Sequence, residues 1–304
     1  MFARYLIRPL HKLTMLSLFL FLLVPECYAK PVKILVSIKP LHSLISHITE
    51  GVNQTDLLLT QQQSPHHFQL RPSQKRMINK AELFFYSSDN IESFVPALKR
   101  TTDHLQFIQL SQLAAIHSLP VRSLHSHHEH NSRDIDGHIW LSIENAKIIS
   151  QQVTDILSKY SPEHASHYKE NLNTLLSKLK QLKQENRLLL NNYKDRAYLV
   201  YHDAYQYFEH ENKLTGAHFI TTTPEHSPGI KRVKELRKLI DENNIQCVFY
   251  EPPNVPTLLK TLTEDKAVYL SAIDPAGLEI PSGKQHYFQL LRQTATTLNK
   301  CLSR

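Results

Sequence analysis

Residues Pro162 to Tyr193 form 32 consecutive positions with no glycine and no proline after the first, and Ala165, Tyr168, Leu172, Leu175, Leu179, Leu182 and Leu189 recur there at helical spacing. The pattern predicts one continuous amphipathic helix, roughly 48 Å long at 1.5 Å per residue. Ser161-Pro162-Glu163 opens it with a candidate cap and a proline at the first helical position. So long a helix divides the chain. Before it come four short runs rich in β-branched, aliphatic and aromatic residues: Lys33–Ser37, Thr55–Leu59, Glu82–Ser87 and Leu105–Leu110. After it come four more: Ala197–Tyr201, His218–Thr221, Gln246–Tyr250 and Ala267–Ser271. Several are nearly continuous apolar runs, as strands buried on both faces of a parallel sheet are. Because helix-like stretches alternate with them, the fold class is α/β: two lobes of (β/α)4 type with parallel sheets, joined by one long rigid helix. Ser142 to Ser158, with Ala146, Ile149, Val153 and Ile156, predicts a further amphipathic helix just before it. The long helix has a lobe on each side to pack against, so a monomer is expected rather than a coiled-coil dimer.

The first 29 residues have the form of a secretory leader. Arg4, Arg8 and Lys12 precede the apolar run Leu13 to Val24, and Cys27-Tyr28-Ala29 offers small residues at the first and third positions before a cut. The run is shorter than the ~20 residues a membrane span needs and is interrupted by Thr14 and Ser17. The organisation expected is therefore a cleaved signal at 1–29, a first lobe at 30–160, a linking helix at 161–194 and a second lobe at 195–304. Beyond the leader only Cys247 and Cys301 remain, an even count that in an exported chain reads as one disulfide. The formal net charge of +7 comes from thinly spread lysines and arginines with no aromatic-interleaved basic stripe, which argues against nucleic acid as a partner.

Only 6 glycines occur, none at the spacing of a phosphate-cradling or dinucleotide loop, whereas there are 19 histidines. Histidine is the commonest metal ligand and general base, so its placement carries most of the functional information. His125, His127, His128 and His130 lie in a polar tract within a loop at 125–137 that has no apolar period, suited to weak metal gathering. Three other histidines stand at element ends: His66 in Ser64-Pro65-His66-His67-Phe68, His138 just before Ile139-Trp140-Leu141, and His202 directly after the fifth run. Ligands of open α/β sheets bind beyond the carboxyl ends of strands, and imidazoles converging there from both lobes would make a metal site in the cleft between them. No H-E-x-x-H helix and no G-x-S-x-G elbow is present.

Several segments together resemble the zinc-uptake solute-binding proteins of bacterial ABC transporters, the ZnuA-like members of the metal-binding cluster A-I family. They are Ser37-Ile38-Lys39-Pro40-Leu41, SPHHFQLRPS at 64–73, HIWLS at 138–142, YHDAYQYF at 201–208, Thr223-Pro224-Glu225 with Pro228-Gly229, FYEP at 249–252 and Asp274-Pro275-Ala276-Gly277. The resemblance implies a periplasmic, non-enzymatic protein that binds Zn2+ between its lobes and delivers it to an ABC membrane permease. It implies as metal ligands His66, His138 and His202, which match the family's motif histidines, and because manganese-binding relatives carry a carboxylate at the position of His202, a histidine there implies zinc. Zinc favours imidazole and small tetrahedral sites, manganese oxygen-rich octahedral ones. Where some zinc members have a glutamate before the first histidine this chain has Pro65, so water or Asp274, which matches the family's second-lobe carboxylate, is expected as the fourth ligand. Cys247 and Cys301 match a cysteine pair of zinc members, and the short histidine tract matches a longer metal-gathering loop. Two alternatives stay open: a manganese or iron solute-binding protein of the same family, and a secreted zinc-dependent hydrolase with Glu225 or Asp203 as base.

Overall fold

Ile34-Leu35-Val36 has no polar side-chain atom, and all three residues are buried. A computed structural model describes residues 31–60, 64–122, 135–223 and 228–304; the leader, the tract His125 to His130, and Pro224 and Glu225 lie outside the described residues. Within them the eight expected runs are strands: β1 (Ile34–Val36), β2 (Thr55–Leu57), β3 (Leu83–Tyr86), β4 (Gln106–Gln109), β5 (Tyr198–His202), β6 (Ala217–Thr221), β7 (Cys247–Tyr250) and β8 (Tyr269–Ala272). They make two parallel four-stranded sheets, ordered β2-β1-β3-β4 and β6-β5-β7-β8. The central strands β1, β3 and β5 are buried along their whole length, while β2, β4 and β8 keep exposed positions, as edge strands can. Most ladders stop a residue or two inside the apolar run. β5 instead runs one residue further than its apolar pattern, because His202 pairs with Thr221 of β6.

The helices are α1 (Lys39–Ile48), α2 (Pro72–Lys80), α3 (Val95–Lys99), α4 (Ile143–Tyr160), α5 (Ala165–Leu190), α6 (Gln206–Asn212), α7 (Ile230–Glu242), α8 (Thr257–Thr263) and α9 (His286–Leu302). The long stretch after Ser161 is the 26-residue α5 flanked by single 3-10 turns at Pro162–His164 and Asn191–Tyr193. Its apolar stripe is buried at Tyr168, Leu175, Leu179 and Leu182. Ser161 makes no side-chain cap; Ser142 does cap α4, accepting from the Asn145 N–H at 3.1 Å.

In each sheet the chain leaves its first strand (β1, β5) for a neighbour on one side and later returns on the other (β3, β7). The connections leaving the carboxyl ends of these two central strands therefore diverge and open a crevice, where ligands of such sheets bind. Alternation along β5 sends Tyr198 and Val200 into the main core, which they share with β1, β3, α1, α4, α5 and α9. It sends Leu199 and Tyr201 into a smaller cluster with Leu236 and Ile240 of α7 and Leu259 and Leu262 of α8. Because the main core runs through both sheets, the lobes are bound by more than α5. A polar seam adds to it: Lys39 Nζ donates to the carbonyls of Leu278 and Ile280 at 2.6 and 3.1 Å, and Ser43 Oγ to that of Lys284 at 2.7 Å. Cys247 at the start of β7 is disulfide-bonded to Cys301 near the end of α9.

Candidate metal centre

His202 closes β5 and is 2 % exposed, so its ring is held by a strand paired on both sides. Its Nδ1 lies 2.8 Å from Glu251 Oε1, on the residue that follows β7. The pair thus spans the crevice of the second sheet, and the carboxylate fixes Nδ1 as the protonated nitrogen. Nε2 is left buried with no hydrogen-bond partner among the described residues. An orphaned buried acceptor of this kind is what a metal ligand presents when the other nitrogen is held by a carboxylate. Burial works against the charged imidazolium, but the hydrogen bond and charge of Glu251, helped by Asp203 and Asp136, outweigh it and raise the His202 pKa.

His138 enters from the first lobe, one residue before the 3-10 turn Ile139–Leu141 that leads into α4. Its Nδ1 and its backbone N–H both meet Asp136 Oδ1, at 2.6 and 3.0 Å, so a carboxylate two residues back fixes ring and tautomer together and leaves Nε2 for a ligand. Asp136 Oδ2 in turn accepts from Gln206 Nε2 of α6 at 2.6 Å. Burial opposes the Asp136 carboxylate, yet the charge and hydrogen bonds of His138 hold its pKa below the ordinary value. His66 is half-buried in the 3-10 turn Pro65–His67, where Ser64 Oγ accepts from its N–H at 3.3 Å and Ser93 Oγ donates to its carbonyl at 2.6 Å.

The three rings converge. Their centroids are 5.8 Å (His66 to His138), 5.5 Å (His66 to His202) and 5.0 Å (His138 to His202) apart. One nitrogen of each lies within 4.8 Å of the others, and this is the one group of three or more His, Cys, Asp or Glu side chains among the described residues arranged to hold a metal ion. A cleft of about 230 Å³ lined by His66, His138, Asp136, Asp203 and Gln206 opens beside it. Three neutral imidazoles with carboxylates behind two of them suit a borderline-soft divalent ion such as zinc, bound tetrahedrally with one position left over.

Residues 34–301 match the sequence profile of ZnuA, described as zinc-uptake complex component A, periplasmic. The chain belongs to the ZnuA family. It is similar to the high-affinity zinc uptake system protein ZnuA of Brucella suis biovar 1, 29% identical over 306 residues that cover 89% of this chain and 92% of the relative. It is likewise 29% identical to the protein of that name in Haemophilus ducreyi, with 89% and 93% covered. A crystal structure of ZnuA superposes with a TM-score of 0.76 at 21% identity, covering 90% of this chain and all of that one. The Streptococcus pneumoniae AdcAII structure does so with 0.75 at 20% identity, covering 90% and 99%.

Two carboxylates singled out from the sequence, Asp274 as an alternative to water for the fourth ligand and Asp203 as a conceivable base of a hydrolase, are engaged elsewhere in the structure. Asp274 is not brought into the histidine group. Its carboxylate accepts from the N–H groups of Ala276 and Leu278 at 2.8 and 2.6 Å, which folds the DPAG loop back on itself. That loop then offers the Pro275 carbonyl to Trp140 Nε1 at 2.8 Å and the Leu278 carbonyl to Lys39, so Asp274 shapes the seam between the lobes. Asp203, the conceived hydrolytic base, is gripped by Arg122, whose Nε lies 2.9 Å from each carboxylate oxygen while Nη1 reaches Glu209 Oε2 at 3.0 Å. Burial nonetheless pushes the Glu209 carboxyl up to about 7. The residues missed from sequence are Asp136, Glu251 and Gln206. Asp136 had a local signal, the D-x-H spacing before His138, whereas Glu251 stood in FYEP without a role until β7 placed it beside β5.

Proposed function

We propose that this ZnuA-family chain is a periplasmic zinc-binding protein that captures Zn2+ between its two lobes and releases it to an ABC import permease. The observation that carries the reading is the convergence of His66, His138 and His202, with Asp136 and Glu251 holding the Nδ1 atoms of two of them. The names of the relatives, high-affinity zinc uptake proteins, point the same way. In this reading the three imidazoles supply three ligands, and solvent in the adjoining cleft supplies the fourth. A protein donor set of three nitrogens disfavours manganese, which prefers oxygen. Because protons and zinc compete for the same imidazole nitrogens, affinity falls on acidification and binding releases protons. The chain acts as a carrier rather than an enzyme: of the two conceived bases, Asp203 is committed to an ion pair with Arg122, and Glu225 lies outside the described residues. Residues 1–29 act as the cleaved export signal, the halves on either side of α5 act as lobes of one monomer, and the tract His125 to His130 gathers metal weakly. Equilibrium competition of zinc, manganese and a calibrated chelator for the purified mature chain tests the proposal. One tight zinc site with manganese orders of magnitude weaker is expected; preference for manganese overturns it.

A further inference from the structure

We propose that Glu92 is a positioning residue for zinc: its buried carboxylate sets the turn from Ser87 to Ser93, and that turn holds the backbone of both first-lobe ligands. The proposal rests on the three-histidine site above. Glu92 is 0 % exposed. Its Oε1 accepts from Ser37 Oγ at 2.6 Å and from the Ser87 N–H at 3.0 Å, and its Oε2 accepts from the Ser88 N–H at 3.0 Å. Ser37 follows β1 and Ser87 follows β3. The carboxylate therefore spans the crevice of the first sheet, the place at which the second sheet carries His202 and Glu251. Its three partners are neutral donors, and burying a carboxylate among neutral groups is costly, so what it holds in place matters.

What it holds is the ligand backbone. Ser87 Oγ donates to the carbonyl of Gly137, the residue before His138. Ser88 packs so closely on Gly137 that a Cβ there would collide with Ser88 Oγ, and Ile91 of the same turn closes the other side. Ser93 Oγ, next to Glu92, donates to the carbonyl of His66 at 2.6 Å. One seven-residue turn thus bears on two ligands that arrive on connections rather than on a strand. In Glu92→Gln the amide turns a donor toward the donors of Ser37, Ser87 or Ser88; the turn relaxes, and the two imidazoles lose their mutual placement although no ligand is removed.

The test is zinc affinity by chelator competition for the wild-type mature chain and for Glu92→Gln, Ser87→Ala, Ser93→Ala and His138→Ala, with the visible absorption of the Co2+-loaded proteins as a report on ligand geometry. Folded Glu92→Gln is expected to bind zinc at least tenfold more weakly and to show altered Co2+ bands. Ser87→Ala and Ser93→Ala should each weaken binding several-fold, and the Glu92→Gln/Ser87→Ala double variant should be no weaker than Glu92→Gln alone. Wild-type affinity and Co2+ bands in folded Glu92→Gln overturn the proposal, even if its thermal stability drops. Should Glu92→Gln not fold, wild-type affinity in both serine variants overturns it. A wild-type chain without tight zinc binding, or His138→Ala binding as well as wild type, defeats the site and this proposal with it, whereas a normal Glu92→Gln defeats this proposal alone.

Discussion

The two sheets share one strand order and one kind of crevice, yet they bring their histidines to the candidate metal centre differently. The second lobe presents His202 on β5, where pairing to β6 and β7 fixes the backbone, and one carboxylate on the neighbouring strand end, Glu251, completes the arrangement. The first lobe presents His66 and His138 on short turns away from any strand, and each is propped from outside: His66 by Ser93, His138 by Asp136 and, through Gly137, by Ser87. A strand supplies rigidity through its ladder, whereas a connection acquires it only from side chains that satisfy its backbone. The first-lobe histidines therefore depend for their placement on side chains outside the histidine group, and the strand-borne one far less.

The largest effect is expected at the strand-borne ligand. His202→Ala should cost about 4 kcal/mol of zinc binding, roughly a thousandfold, while His66→Ala, half-buried on a turn where water can enter, should cost closer to the 1.4 kcal/mol of a tenfold loss. Chelator competition at constant pH measures both. Equal losses would erase the distinction between strand and connection.

Stability should divide along the same line. The disulfide ties β7 of the second lobe to α9, whose side chains lie in the core shared with the first, and it closes a loop of 54 residues. Changing both cysteines to serine is expected to lower unfolding free energy by about 2–4 kcal/mol while zinc binding persists in the folded fraction. Denaturant titration with and without zinc reads this; loss of the tight site in still-folded protein would contradict it.

Next come the carboxylates behind the rings. Glu251→Gln and Asp136→Asn should each weaken zinc about 10- to 100-fold. Asp136→Asn should do so more, because Asp136 orients both the ring and the backbone of a ligand that has no strand behind it. Isothermal titration of the two variants ranks them, and a larger loss in Glu251→Gln would reverse the comparison.

The seam between the lobes should respond to acid. His47 and His286 are held down to about 4, chiefly because burial penalises the imidazolium. Their folded pKa values lie below the ordinary 6.5, so the native chain binds fewer protons than the unfolded one between those limits. Their contribution is whole above about 6.5 and is lost as pH falls toward 4. His47 meets the Lys284 carbonyl and His286 that of Ala276, so thermal midpoints of the metal-free chain should fall over that interval, less steeply in His47→Asn. An identical slope in that variant would remove His47 from the account. The smallest effect is expected from deleting His125 to His130, which should remove weak extra zinc equivalents and leave the tight site; calorimetry that finds the tight phase abolished would refute the separation of the two histidine sets.

The α/β class, the eight strands, the long helix and the three histidines were all legible in one dimension. Apolar runs, helical spacing and element ends are local properties, written in neighbouring residues. The resemblance of ordered motifs added zinc to a pattern that by itself indicated only histidine chemistry. What the tertiary structure decided is which distant side chains serve those histidines. Glu251 reaches His202 because β5 and β7 are neighbours, although 49 residues separate the two in sequence. Asp274, a ligand candidate by alignment of motifs, spends both oxygens on its own loop's N–H groups and so builds the seam instead. Backbone hydrogen bonding of that kind leaves no trace in residue type: an aspartate that coordinates and an aspartate that folds a turn are the same letter, and only the direction in which the chain brings its oxygens tells them apart.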